Sequence, residues 1–199
     1  MKKLGTVVLA VMFLSASAAF ARPEINVRVG LDASDTFSED REAYGKTISS
    51  SFNTETGFTI GSEILFPVFK ILKVGGGIEY LSARKLVKGN SETELFLLPI
   101  YAAIQANPIK AAQGVFFRGI IGVAVFGFVN EATTWMARPD SGFYLGAGSG
   151  YEFPFGLILG LDYKYFIASS KYTDNLGAKY EYSYDIAIIG VNIGYKFKL

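Results

Sequence analysis

The chain has no cysteine and no histidine, its 19 basic side chains are balanced by 18 acidic ones, and beyond residue 21 no uncharged run reaches the length of a membrane-spanning helix. Without cysteine there is no disulfide framework, so stability rests on packing and backbone pairing alone. Without histidine the usual general base at neutral pH and the imidazole metal ligand are both missing. Charge balance leaves no electrostatic footprint for nucleic acid, which demands a basic excess. A spanning helix needs ~20 consecutive apolar residues, whereas the run 119–130 is stopped by Arg118 and Glu131.

What the chain does contain is apolar residues at alternate positions. Mean hydropathy is positive at +0.30, and half the residues are hydrophobic. High hydropathy without long apolar runs is the signature of strands with one apolar face, since a transmembrane strand needs only ~10 residues. Ile25, Val27, Val29 and Leu31 alternate with Asn26, Arg28, Gly30 and Asp32, which predicts a first strand over 24–33. The second sets Phe58, Ile60, Ile64 and Phe66 against Thr59, Gly61 and Glu63. The third sets Leu72, Val74, Ile78 and Tyr80 against Lys73, Gly75, Gly77 and Glu79. Leu95, Leu97 and Tyr101 carry the apolar stripe of the fourth, with Phe96, Leu98 and Ile100 on its other face. Four more strands follow, with Phe117–Val125, Phe143–Phe153, Leu157–Tyr165 and Ile189–Leu199 supplying their apolar stripes. Pro99 cannot donate to a ladder, so an irregularity is expected in the fourth strand.

Eight strands with loops between them and no helix predict an all-β fold, a closed antiparallel up-and-down barrel, because an apolar sheet with open edges does not persist in a membrane. Side-chain volume assigns the faces. The interior of an eight-stranded barrel is just filled by its side chains, so the glycine-rich stripe belongs inside and the bulky stripe meets lipid; a soluble ligand-binding barrel would reverse them. The inward charges are Arg28, Glu63, Lys73, Glu79, Arg118, Glu152, Asp162, Lys164 and Lys196, of both signs, and are expected to pair in the lumen. Two aromatic girdles are expected, one of Phe58, Tyr80, Phe143, Tyr163 and Tyr165, the other of Phe66, Tyr101, Phe117, Phe153 and Phe197.

At the N-terminus, Lys2 and Lys3 precede an apolar run and Ala19-Phe20-Ala21, the pattern of a cleaved secretory signal over 1–21, leaving one barrel domain over 22–199. At the other end, Asn192, Gly194, Phe197 and Leu199 resemble the terminal signal read by the machinery that inserts bacterial outer-membrane barrels, with Leu in place of the commoner final Phe. The mature chain as a whole resembles the small OmpA-like and OmpX-like barrels of Gram-negative outer membranes. That resemblance implies an integral outer-membrane location, contact with membrane lipid, escort by periplasmic chaperones and the insertion machinery, and extracellular loops free to bind a surface ligand.

No catalytic residue, cofactor or metal is expected. The lipid A-modifying barrels and the barrel proteases that the resemblance brings in require a histidine, which this chain lacks. Ser170 and Lys171 are adjacent, so their side chains point apart, and they read as solvated loop residues. Asp32, Asp35, Glu39, Asp40 and Glu42 cluster around the first long loop but lack EF-hand spacing and read as a solvated loop. The glycines at 75–77 and at 146, 148 and 150 do not complete a dinucleotide fingerprint and read as room for large neighbours such as Phe116, Phe126 and Tyr144. Trp135 and Met136 are placed in a long loop, as a lipid-interface anchor. The main expectation is a structural or surface-interacting barrel. A narrow OmpW-like channel for apolar solutes is the alternative, motivated by Leu65, Leu81, Phe96, Leu98 and Ile100 as lumen lining.

Overall fold

The computed structural model describes residues 22–43, 46–53, 56–88, 91–108, 114–128, 141–173 and 179–199. The segment 1–21 and the loop bearing Trp135 and Met136 lie outside these. Among the described residues there are nine strands: β1 (Glu24–Ala43), β2 (Lys46–Asn53), β3 (Phe58–Phe69), β4 (Leu72–Lys88), β5 (Ser91–Ala106), β6 (Val115–Phe128), β7 (Ser141–Glu152), β8 (Leu157–Thr173) and β9 (Lys179–Lys198). All neighbours pair antiparallel in the order β2-β1-β3-β4-β5-β6-β7-β8-β9, and β1 also pairs with β9, which closes an eight-stranded barrel. The ninth, β2, folds back on the upper half of β1 from Thr36↔Asn53 to Ala43↔Lys46. The acidic run 35–42 is therefore strand, where the sequence reading placed a loop.

The seam runs from Glu24↔Lys198 to Ala43↔Tyr180, with one irregularity between Asp32 and Ser34. At that point β1 parts from β3, whose pairing ends at Leu31↔Phe58, and continues with β9. The strands β8, β9 and β1 thus extend well past the membrane-facing stripe on the side of the long connections. On the opposite side the β3–β4 and β7–β8 connections are tight turns. In the one between β7 and β8, Gly156 adopts φ 98° while its amide donates to the Phe153 carbonyl, and its own carbonyl accepts from Lys196 N at 2.8 Å. A side chain would be strained there.

The faces follow volume as expected. Val27, Val29, Leu31, Ile60, Ile121, Leu161, Val191 and Ile193 are exposed on the outer wall, while Arg28, Glu63, Arg118 and Lys164 are buried inside. Phe58, Tyr80, Phe143, Tyr163, Phe117 and Phe197 stay on the outer wall.

The fourth barrel strand, β5, reverses the expected assignment. Leu97 and Tyr101 point inward and are buried, whereas Ile100 is 53% exposed to the lipid side. Both faces of 95–101 are apolar, so alternation carries no information there; the neighbours decide. Tyr101 lies in register with Gly77 on one side and Gly122 on the other, and only the inward face offers a phenol ring that much room. Tyr101 therefore leaves the girdle, and Ile100 leaves the lumen lining. Pro99 keeps its pairing to Ala124 on β6, but on the β4 side the ladder passes from Ile78↔Ile100 to Leu81↔Leu97, and a bulge follows between Leu81 and Arg84. The missing donor thus disturbs the neighbouring strand. Because the chain has no cysteine, single-cysteine spin labels test this inversion. A label at Ile100→Cys should be open to membrane-dissolved oxygen, and one at Leu97→Cys should be shielded; the opposite pattern would restore the first assignment.

Candidate functional site

The lumen is assembled from transverse rows in which bulky and small residues alternate. One inward row runs through Glu63, Gly77, Tyr101, Gly122 and Tyr144, each pair directly opposite on adjacent strands. Another runs Arg118, Gly148, Asp162, Gly190 and Asp32. Each large side chain leans over a glycine beside it, so long side chains can reach the axis without colliding.

At mid-depth this brings six ionic groups together. Arg118 donates to Glu63 Oε2 at 2.6 Å and to the Tyr101 hydroxyl at 2.8 Å, and lies 3.8 Å from Glu79 and 3.7 Å from Asp162. Arg28 bonds the other oxygen of Glu63 at 3.0 Å, where Asn26 also donates. Lys164 pairs with Glu79 at 2.9 Å, and the hydroxyls of Tyr101 and Tyr144 donate to the two Glu79 oxygens. Asn192 donates to Asp162 at 2.7 Å, and Thr59 donates to Asp32. Arg28 and Arg118 lie over the rings of Phe116 and Tyr101. Three cations face these three carboxylates, with the buried Asp32 beside them, so removal from water is compensated by pairing and by neutral donors.

A second group closes the end with the tight turns. Lys73 pairs with Glu24 at 2.6 Å and Glu152 at 3.3 Å, and Lys196 pairs with Glu152. The chain Glu24–Lys73–Glu152–Lys196 crosses from β1 through β4 and β7 to β9. Toward the other end the lumen is apolar, with Leu81, Leu97, Ala124, Phe166, Tyr184, Ile186 and Ile188 buried. Tyr144 and Phe166 stack there at 4.6 Å. Between these layers, Arg28, Asp32, Glu79, Asp162 and Lys164 border a void of about 20 Å³, room for about one water molecule.

All nine charged residues singled out in the sequence fall in these two groups, six at mid-depth and three at the end. The sequence places Asn26, Tyr144 and Asn192 on the inward face without joining them to the charges; it shows neither Glu24 as a partner nor the inward turn of Tyr101. The signal for Asn26 and Asn192 was present in their inward parity; for Tyr101 it was not. Of the supposed apolar lining, Leu65 and Leu81 are inside and Ile100 is outside. Among the described residues no cluster suited to a metal ion is present.

An outward apolar wall around a buried ionic lumen is the architecture of a barrel that lives in lipid, and the sequence fits a family model described as outer membrane protein beta-barrel domain over residues 6–197. This chain belongs to that family. It is an integral outer-membrane protein, with its outer wall in contact with membrane lipid. Among solved structures, OprG from Pseudomonas aeruginosa is similar at 15% identity, with 90% of this chain and 97% of that chain covered and a TM-score of 0.52, which supports the fold. Ail, the attachment invasion locus protein of Yersinia pestis, is similar at 14% identity, covering 88% of this chain and 99% of that one with a TM-score of 0.49. Neisserial surface protein A is similar at 13% identity, covering 85% and 96%, with a TM-score of 0.42. No curated protein matches the sequence.

Proposed function

We propose that this family member is a closed, non-catalytic barrel that anchors an extracellular platform, built from the extended β8, β9, β1 and β2, to the outer membrane for surface interaction. The observation that carries this reading is the filled lumen. The ionic layer, the apolar layer above it and the Glu24–Lys73–Glu152–Lys196 chain below leave a void of only about 20 Å³ at mid-depth. In this reading Arg28, Glu63, Glu79, Arg118, Asp162 and Lys164 hold the strands in register and seal the interior. Their partners are one another, which leaves no poised acid or base for catalysis, in keeping with the absence of histidine.

The reading includes export with removal of 1–21, escort by periplasmic chaperones, and recognition by the insertion machinery through Phe197 and Leu199, which stay exposed on the outer face. Gly194 lies between them and Asn192 on the same strand, and Asn192 is also held to Asp162. A ligand for the extracellular platform belongs to the same proposal. The alternative, passage of small apolar solutes, draws on Leu81, Leu97, Phe166, Ile186 and Ile188 in the outer half of the lumen, but these side chains pack against one another and the ionic layer lies beneath them. Refolded protein in planar bilayers is expected to give no steady conductance, and loaded vesicles no uptake of small solutes. Stable channels or uptake would replace this function with the alternative.

A further inference from the structure

On the side of the long connections the barrel wall is split between β2 and β4. The sheet order begins at β2, which pairs with β1 alone, while β1 lies between β2 and β9. β2 continues β3 along the same side of β1, since Leu31 faces Phe58 and Thr36 faces Asn53. A regular wall would therefore join β2 to the upper half of β4. The β3–β4 pairing instead stops at Thr59↔Leu81, and beyond it β4 pairs only with β5, from Arg84↔Leu95 to Lys88↔Ser91. At the fork the Phe58 amide donates to the Ser82 hydroxyl oxygen at 2.9 Å. The bulge between Leu81 and Arg84 lies at the same height and bends β4 there. Among the described residues, the outer edge of β2 thus has no strand beside it.

Edges that are not meant to pair are usually blunted by charge, proline or a bulge. From Thr47 to Asn53 β2 contains no charged residue, proline or glycine, its register with β1 runs unbroken, and Ile48 is 61% exposed. We propose that this edge takes up an extended segment of another protein as an added strand, with lysine or arginine at alternate positions; the proposal rests on the reading of β8, β9, β1 and β2 as an extracellular platform. Main chain is the chemistry that answers an open edge, whose N–H and C=O groups recur at the spacing of a strand. The basic side chains follow from the rows behind the edge. Residues directly opposite share a face, so Ser183, Asp40 and Ser49 form one outward row and Glu181, Glu42 and Thr47 the next. Asp40, Ser49, Thr47, Glu181 and Ser183 are exposed. On the β8 side Lys171 stands opposite Glu181, whereas neither Asp40 nor Glu42 has a basic residue opposite it on β9 or β2. Strands lie ~4.8 Å apart, so a lysine on an added strand reaches over the short Ser49 to Asp40.

The test uses the barrel refolded in phosphatidylcholine vesicles, whose neutral surface does not attract cationic peptides. The probe is a fluorescent peptide of alternating lysine and valine. It is expected to bind about tenfold more tightly than its glutamate–valine counterpart, and to slow amide hydrogen exchange in residues 47–52 while β6 and β7 stay unchanged. Methylating the peptide's backbone nitrogens keeps every charge and should abolish both effects. Asp40→Asn with Glu42→Gln should weaken binding of the lysine peptide about tenfold, with heat-modifiable migration on gels retained. No binding, or binding without protection of 47–52, overturns the added strand. Equal binding of the two peptides, or undiminished binding by the double variant, overturns the basic partner. Conductance in bilayers, or a platform facing the periplasm in intact cells, would overturn the proposed function and leave these peptide measurements as they are.

Discussion

Replacing Arg118 by Met should destabilise the barrel by about 3–5 kcal/mol, the cost of removing one partner from a buried ion pair. Arg118 is 4% exposed and is the shared neighbour of Glu63, Glu79, Asp162 and Tyr101. Without it Glu63 keeps Arg28 and Asn26, and Glu79 keeps Lys164, but the centre loses one of its three cations while Glu63, Glu79, Asp162 and Asp32 all remain. The excess charge is buried away from bulk solvent. Urea unfolding in lipid vesicles, followed by tyrosine fluorescence or gel migration, measures the loss. The double variant Arg118→Met with Glu63→Gln restores the layer's original net charge and should be more stable than Arg118→Met alone. If Arg118→Met unfolds at the same urea concentration as the parent, the ionic layer has no part in holding the barrel together.

The second large effect is a packing conflict with a built-in rescue. A methyl group added at Gly146 would lie 2.6 Å from Cδ1 and Cγ1 of Ile120, its neighbour across the β6–β7 pair. Overpacking of this kind costs typically about 1–3 kcal/mol. Ile120→Ala on its own leaves a cavity and should cost about 2–5 kcal/mol. Combined, the new methyl occupies space that the lost side chain vacates, so the double variant should be more stable than the sum of the two losses by about 1 kcal/mol or more, within the range for residues in contact. A strictly additive cycle would mean that Gly146 is not there to accommodate Ile120. The same comparison tells a steric role for the inward glycines from one of mere strand flexibility, because flexibility would not respond to Ile120.

Both expectations depend on rows that cross strands, and it is there that sequence and structure divide the information. Alternation was legible along most of the barrel strands. Ile25 to Leu31, Leu157 to Tyr165 and Ile189 to Leu199 have one bulky face and one small or ionic face, and the limited interior volume assigned these faces correctly. The ionic lumen residues were legible for the same reason, since a charge opposite a bulky stripe can only point to the axis. The acidic stretch 35–42 was misread because a polar strand outside the membrane has no apolar face to reveal it. It is held by backbone pairing to β9 and β2, which composition does not report.

The chain by itself determined that this would be a closed antiparallel sheet with hydrocarbon outside, because period two and side-chain volume are local properties that hold whatever the register. Only the tertiary structure decided that Tyr101 turns inward, that Glu63 is shared by Arg28 and Arg118, and that Ile120 meets Gly146. Those facts depend on which residue of one strand lies beside which residue of the next, and register is a property of pairs of strands distant in sequence. In 95–101 both faces are apolar, so the choice fell to the glycines at 77 and 122, and only pairing could bring them alongside.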